Sequence, residues 1–179
     1  MNSSKIVTIF GSSKPQVGEP DYALARELGR LLAKAGFTIC NGGYGGTMEA
    51  AARGAKGAGG STIGVTMEFV TPQANPWIDK TIVVKTLIDR LMKLIELGDA
   101  YVVLRGGTGT LLELASVWEL MNKQVIQSKP VIVFGDFWDS VLETVKTELT
   151  LEGQQWTARY VTAVKSPEEC VRVLREALG

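Results

Sequence analysis

Three glycine-rich stretches hold the residues of this 179-residue chain best placed to do chemistry: Gly11-Ser12-Ser13, Gly42-Gly43-Tyr44-Gly45-Gly46-Thr47 and Gly106-Gly107-Thr108-Gly109-Thr110. Each follows a run rich in β-branched residues and precedes a helical pattern or a loop leading to one. Glycine lets backbone amides come close to an anion, a helix N-terminus adds unpartnered N–H groups and a favourable dipole, and Ser and Thr hydroxyls can donate to the same oxygens. A phosphate is the natural guest. Any one stretch, taken alone, is equally well a tight strand-to-helix turn, but three together point to a shared ligand. Neither standard nucleotide fingerprint is present. The first strand ends in Gly-Ser-Ser-Lys-Pro instead of G-x-G-x-x-G, and no Gly-Lys-Ser/Thr follows a glycine loop.

Glu113 stands out by its spacing, three residues after Thr110 and four after Gly109. Helical side chains lean toward the N-terminus, which aims this carboxylate at the third glycine stretch. Apolar neighbours (Leu111, Leu112, Leu114, Val117 and Trp118) would raise its pKa by burial. A second reading is open, because Thr110-Leu111-Leu112-Glu113 also has the form of a capping box. Arg90 lies among Asp89, Lys93 and Glu96, a pattern that a solvated helix face with an Asp89–Lys93 pair accounts for. It gains interest only if it meets Glu113 near one phosphate site.

Composition limits what these groups can do. The chain has no histidine, so Ser-His-Asp and Cys-His nucleophiles, HExxH zinc chemistry and histidine proton shuttles are excluded. Acid–base work falls to carboxylates, Lys, Tyr or Cys, and neither a metal nor a cofactor is called for. The 19 basic residues balance 19 acidic ones, which gives none of the basic footprint that nucleic acid usually requires. Cys40 and Cys170 are far apart without CxxC spacing and read as reduced structural thiols. The first ten residues run straight into a strand pattern without the apolar region of a signal peptide, and no stretch approaches the about 18 apolar residues of a membrane span. A cytoplasmic protein that does not engage a membrane is expected.

The elements that must position these residues alternate. Strands are predicted at 6–10, 37–41, 62–66, 81–84, 100–104, 130–134 and 160–164. Helices are predicted at 20–35, 47–56, 87–97, 110–121 and 139–149, with a terminal helix opened by Ser166-Pro167-Glu168-Glu169 as N-cap, N1 proline and capping-box glutamate. The third helix is expected to bury Leu87, Leu91, Leu94 and Ile95. The segment 67–79, containing Pro72 and Pro76, is the longest irregular stretch and a candidate lid or substrate loop. Continuous apolar strands alternating with helices predict an α/β fold: a doubly wound, Rossmann-like parallel sheet with helices on both faces, forming a single domain over residues 1–179.

Arg105-Gly106-Gly107-Thr108-Gly109-Thr110-Leu111-Leu112-Glu113 resembles the P-G-G-x-G-T-x-x-E signature of the LOG ("lonely guy") family of cytokinin riboside 5′-monophosphate phosphoribohydrolases. Phe10-Gly11-Ser12-Ser13 and Gly42-Gly43-Tyr44-Gly45-Gly46-Thr47-Met48 look like its other phosphate-side loops. Arg90 falls where the family has a catalytic arginine, and Trp118 and Lys129-Pro130-Val131 match later landmarks. The likeness spans roughly residues 5 to 145. It implies hydrolysis of the N-glycosidic bond of a nucleoside 5′-monophosphate to free base and ribose 5-phosphate. Glu113 and Arg90 would be catalytic; Gly11, Ser12, Ser13, Gly43, Gly45, Gly46, Thr47, Arg105, Gly106, Gly107, Thr108, Gly109 and Thr110 would hold the substrate and its phosphate. Two departures are Arg105, which replaces the signature proline, and Leu91, where the family usually has lysine. They leave open a second function, a non-catalytic carrier or sensor of a phospholigand resembling the molybdenum cofactor carriers of the wider superfamily. The lysine decarboxylase label often attached to the family fails, because no context for pyridoxal phosphate is present. Leu111, Leu114, Trp118 and Met121 make one helix apolar on more than one face, and the family resemblance adds dimers around this region, so a homodimer or higher homo-oligomer is expected.

Overall fold

Seven parallel strands form one sheet in the computed structural model, which describes residues 4–70 and 73–179. Met1, Asn2 and Ser3 at the start of the chain, and Pro72 of the expected substrate loop, lie outside the described residues. The elements run β1 (Ile6–Phe10), α1 (Pro20–Lys34), β2 (Thr38–Asn41), α2 (Thr47–Gly57), β3 (Thr62–Met67), β4 (Lys80–Val84), α3 (Leu87–Leu97), β5 (Ala100–Val103), α4 (Thr108–Asn122), β6 (Val131–Phe134), α5 (Asp139–Leu151), β7 (Val161–Val164) and α6 (Pro167–Leu178). Single 3-10 segments at Asp136–Trp138 and Gln155–Tyr160 lead into α5 and β7.

The strand order is β4-β3-β2-β1-β5-β6-β7. The chain winds outward from β1 to β4, then returns across the sheet to place β5 on the other side of β1. Thr8 pairs with Cys40 of β2 on one side and with Tyr101 of β5 on the other. Direction reverses between β1 and β5, and that switch point opens a crevice at the C-terminal ends of the strands.

Burial follows from coverage on both faces. In β5 and β6 every residue is buried, as expected for apolar runs with helices above and below. The edge strands are wetter: β4 has exposed positions, and Thr162 and Ala163 of β7 are exposed. Val7 and Ile9 pack with α1, α2 and α6, whereas Phe10, Tyr101 and Val103 pack with α3, α4 and α5. The two cysteines are free and buried in opposite layers, Cys40 beneath α3 and Cys170 on α6. Helices α1 and α2 touch backbone to backbone: a β-carbon added at Gly29 would lie 2.0 Å from the Ala51 carbonyl oxygen, so only glycine fits.

Helix α3, which carries Arg90, is fixed at both ends. Thr86 and Asp89 form a capping box, the hydroxyl accepting from Asp89 N–H at 3.0 Å and the carboxylate from Thr86 N–H at 3.1 Å. At the other end the last carbonyls accept from side chains of the sheet layer: Leu94 from Thr8 at 3.0 Å, Ile95 from the Tyr101 hydroxyl at 2.7 Å, and Gly98 from Lys129 at 2.6 Å. Helix α6 begins as predicted on Ser166, whose hydroxyl accepts from Glu169 N–H at 3.1 Å.

Two helix readings are corrected. The buried face of α3 consists of Arg90, Leu91, Leu94 and Ile95, while Leu87 is half exposed. Asp89 is engaged in the cap and Lys93 pairs with Glu96 at 2.6 Å, so the Asp89–Lys93 pair is not formed. Helix α4 starts at Thr108, two residues earlier than predicted, with Gly107 as N-cap and no side-chain cap. Thr110 is therefore inside the first turn, and the Thr110–Glu113 capping box does not form.

Candidate functional site

All three glycine stretches meet at the crevice. The loop after β1 and the start of α2 are clasped together: Thr47 donates both its N–H, at 2.9 Å, and its hydroxyl, at 3.0 Å, to the Ser12 carbonyl oxygen. This contact needs Gly46, which has a φ of +66° and whose added β-carbon would lie 2.3 Å from that same oxygen. Thr47 thus fastens two loops, and both of its donors are engaged within the protein. The Ser12 hydroxyl accepts from Lys14 N–H at 3.1 Å, while Ser13 is exposed at the rim. Gly11 and Gly45 line the same bend, and Gly43 N–H donates to the Asn41 side chain at 2.8 Å.

On the β5 side, Gly107, Thr108 and Gly109 are exposed at the uncapped start of α4. Leu111 N–H makes the first bond back to Gly107, so the amides of Thr108, Gly109 and Thr110 lie in the turn where a helix has no intrahelical acceptors. Gly106 lies against the buried Thr110 side chain. Arg105 is exposed, its guanidinium 5.1 Å from the Phe137 ring centroid, where a proline would leave an uncharged rim. Phe137 is steadied by its edge-on contact with Trp138, whose indole N–H donates to the Leu104 carbonyl at 3.2 Å.

Glu113 lies one turn into α4 and faces Arg90, with Nη1 3.8 Å from Oε1. Their side chains are 13% and 10% exposed, which distinguishes this pair from the surface ion pairs of the molecule. Burial pushes the Glu113 carboxyl up to about 7, and the Arg90 charge partly offsets that rise. Arg90 is held firmly. Its Nε donates to the Val65 carbonyl of β3 at 2.8 Å, Nη2 lies 3.9 Å from Met48 Sδ, and the Tyr44 ring covers the guanidinium at 5.1 Å. Gly42 makes room for it, since an added β-carbon there would sit 1.6 Å from Nη2.

The reading of Arg90 as part of a solvated face is therefore corrected. It enters the buried layer because α3 crosses the ends of β2 and β3, where the Val65 carbonyl accepts from it. Tyr44, Gly42 and Met48 are site residues that the sequence reading did not single out, although all three lie in or beside the second glycine stretch. Strand order arranges the groups in a line. Arg90 and Tyr44 lie over β2 and β3, Ser12 over β1, the α4 amides over β5, and Arg105 with Phe137 over β5 and β6.

Comparison with known proteins identifies relatives of the whole chain. The model of the SLOG cluster4 family matches residues 4–171. An uncharacterized protein of Archaeoglobus fulgidus is 33% identical over 129 residues, covering 72% of this chain and 84% of its own length. A cytokinin riboside 5′-monophosphate phosphoribohydrolase of Mycobacterium tuberculosis is 37% identical over 115 residues, 63% of this chain and 61% of that protein. One from Rhodococcoides fascians is 32% identical over 138 residues, 74% and 68% of the two chains. Among solved structures, the molybdenum cofactor binding protein of Rippkaea orientalis superposes over the full length of both chains with a TM-score of 0.79 and 28% identity.

Proposed function

The chain belongs to the SLOG cluster4 family, and from that premise we propose that it hydrolyses the N-glycosidic bond of a nucleoside 5′-monophosphate. The observation that carries the proposal is the buried Glu113–Arg90 pair, one helical turn from the uncapped amides of α4. The 5′-phosphate sits on the Gly106–Thr110 loop, where the Thr108, Gly109 and Thr110 amides and the helix dipole meet its charge. Ser12, Ser13 and Arg105 close around it, and the Gly43, Gly45 and Gly46 backbone shapes the opposite wall. Thr47 contributes through the clasp that holds the first two loops together.

As the C1′–N bond breaks, the electron pair leaves with the base and the sugar develops oxocarbenium character. An ionised Glu113 stabilises that positive charge and orients the water whose oxygen bonds to C1′; the proton that water loses balances the one the departing base takes up, and ribose 5-phosphate remains. Arg90 holds Glu113 in place and favours its ionised form. A nucleoside 5′-monophosphate panel that includes AMP and an N6-prenylated AMP, assayed for free base, tests this. Release that disappears in Glu113→Gln supports the proposal. Undiminished release in that variant overturns the role of Glu113.

The full-length likeness to a molybdenum cofactor binding protein favours a second reading, a carrier with the same cradle and no turnover. Calorimetric binding without released base selects it. The proposal includes a cytoplasmic setting, where both thiols stay reduced, and a second copy of the chain as partner. The basis for that partner is narrower than the sequence implied: Leu114, Trp118 and Met121 are core residues, and Leu111 and Leu112 are the exposed large apolar side chains of α4. Light scattering that returns the mass of one chain removes it. No described helix is long and apolar enough to cross a membrane.

A further inference from the structure

The geometry points to Tyr44 as a positioning residue that locks the Arg90 guanidinium against Glu113. The inference rests on the proposed reaction for its kinetic consequence and on the contacts of Arg90 and Tyr44 for its geometry. A guanidinium presents donors in its plane and a polarisable face above and below it. In Arg90 three edge contacts hold the group: Nε donates to the Val65 carbonyl, Nη2 lies against Met48 Sδ, and Nη1 forms the ion pair with Glu113. The guanidinium carbon lies over the Tyr44 ring, 5.1 Å from its centroid, so the ring blocks movement of the group to that side.

The ring can do so because it is itself tied down. The Tyr44 hydroxyl accepts from Met67 N–H at 2.9 Å, at the end of β3. Its carbonyl accepts from Asn75 Nδ2 at 2.9 Å, and Asn75 N–H donates to the Gly43 carbonyl at 2.8 Å. Gly43 carries a φ of +74°, the turn that aims the following side chain back across the strand ends. The loop between β3 and β4, expected from sequence to touch substrate, thus acts through Tyr44. Other ionisable groups near Arg90 are Glu113, its ion-pair partner, and the buried Cys40 thiol, which burial pushes up to about 12 and keeps neutral. The cation whose position Tyr44 controls therefore bears chiefly on Glu113.

The test compares wild type, Tyr44→Phe and Tyr44→Leu in the full chain. Phe keeps the ring and loses the hydroxyl. Leu keeps bulk and loses the π face. Nuclear magnetic resonance of the Glu113 side-chain carboxyl against pH is read beside base release. The expected result for Tyr44→Leu is a higher Glu113 midpoint and a kcat about tenfold lower with KM within about twofold, the size of a buried cation–π contact. Tyr44→Phe keeps the ring but loses the Met67 tie, and its kcat falls between those of wild type and Tyr44→Leu. In wild type the Arg90 side-chain protons are expected to show nuclear Overhauser contacts to the Tyr44 ring protons. That measurement stands even where Tyr44→Leu does not fold. Absent Overhauser contacts between Arg90 and the Tyr44 ring, or an unmoved Glu113 midpoint in a folded Tyr44→Leu, overturn the inference. Absent base release in wild type overturns the proposed reaction, and the two resonance measurements still decide the role of Tyr44.

Discussion

Replacing Glu113 by glutamine should make the protein more stable, and increasingly so as pH rises. The carboxyl moves from 4.5 to about 7 on folding, chiefly by burial. The folded chain therefore holds this proton more tightly than the unfolded chain. Below pH 4.5 both states are protonated and nothing is lost. Between 4.5 and 7 the unfolded chain ionises first and stability falls; above 7 the loss is complete. At 1.36 kcal/mol for each tenfold in proton affinity, the loss comes to about 3 kcal/mol. Glutamine mimics the neutral acid in shape and leaves the Arg90 bond to Val65 in place. Urea unfolding of both proteins at pH 5, 6, 7 and 8 isolates the effect, because every other titrating group cancels in the difference. The expected difference is small at pH 5 and reaches about 3 kcal/mol in favour of the variant at pH 8. A pH-independent difference, or one that favours wild type at pH 8, would refute the assignment of Glu113 as a buried acid held at a cost in stability. The same variant should lose about a hundredfold or more in base release, the usual contribution of a positioned carboxyl group.

Gly42→Ala puts a β-carbon 1.6 Å from Arg90 Nη2. It should displace the guanidinium and lower kcat about a hundredfold, as a misplaced catalytic group does, and an unchanged kcat would sink the packing argument. Gly29→Ala drives a methyl group into the Ala51 carbonyl, and separating α1 from α2 should cost about 3 kcal/mol in urea unfolding. A loss below about 0.5 kcal/mol would mean that the helices part freely. Cys40 and Cys170 are buried, with thiols pushed up to about 12, and should resist an aromatic disulfide reagent until urea unfolds the chain. Prompt native-state labelling of either would contradict the buried layers described.

Sequence alone revealed the sheet and its helices because their signals are local. Runs such as Val131–Phe134 can scarcely be anything but buried strand, and Ser166-Pro167 marks a helix start without reference to the rest of the chain. The glycine stretches were readable for the same reason. What stayed hidden depends on contacts between distant segments. Arg90 carries the composition of a surface residue, and only the crossing of α3 over β2 and β3 takes it inside. Tyr44 reads as one aromatic among glycines until Met67 and Asn75, from the far side of β3, are seen to hold it. The true start of α4 was missed because Gly107 caps it with backbone alone, leaving no side-chain oxygen to mark the boundary. Glu113 is legible from its position on the helix, whereas its partner Arg90 is reached only through the family resemblance.

The return of the chain across the sheet has a consequence for how the molecule is made. Until β5 docks, β1 is an edge strand, its Ile-Val-Thr-Ile-Phe backbone paired on one side only. Such edges invite pairing with other chains, and the danger lasts while about ninety residues between β1 and β5 are synthesised at a few residues per second. The segment that ends this exposure also brings the α4 amides and Glu113 to the crevice. Protection from aggregation and completion of the proposed phosphate site are therefore one event, and if that site is filled, a phospholigand present during synthesis would favour the chains that have passed it.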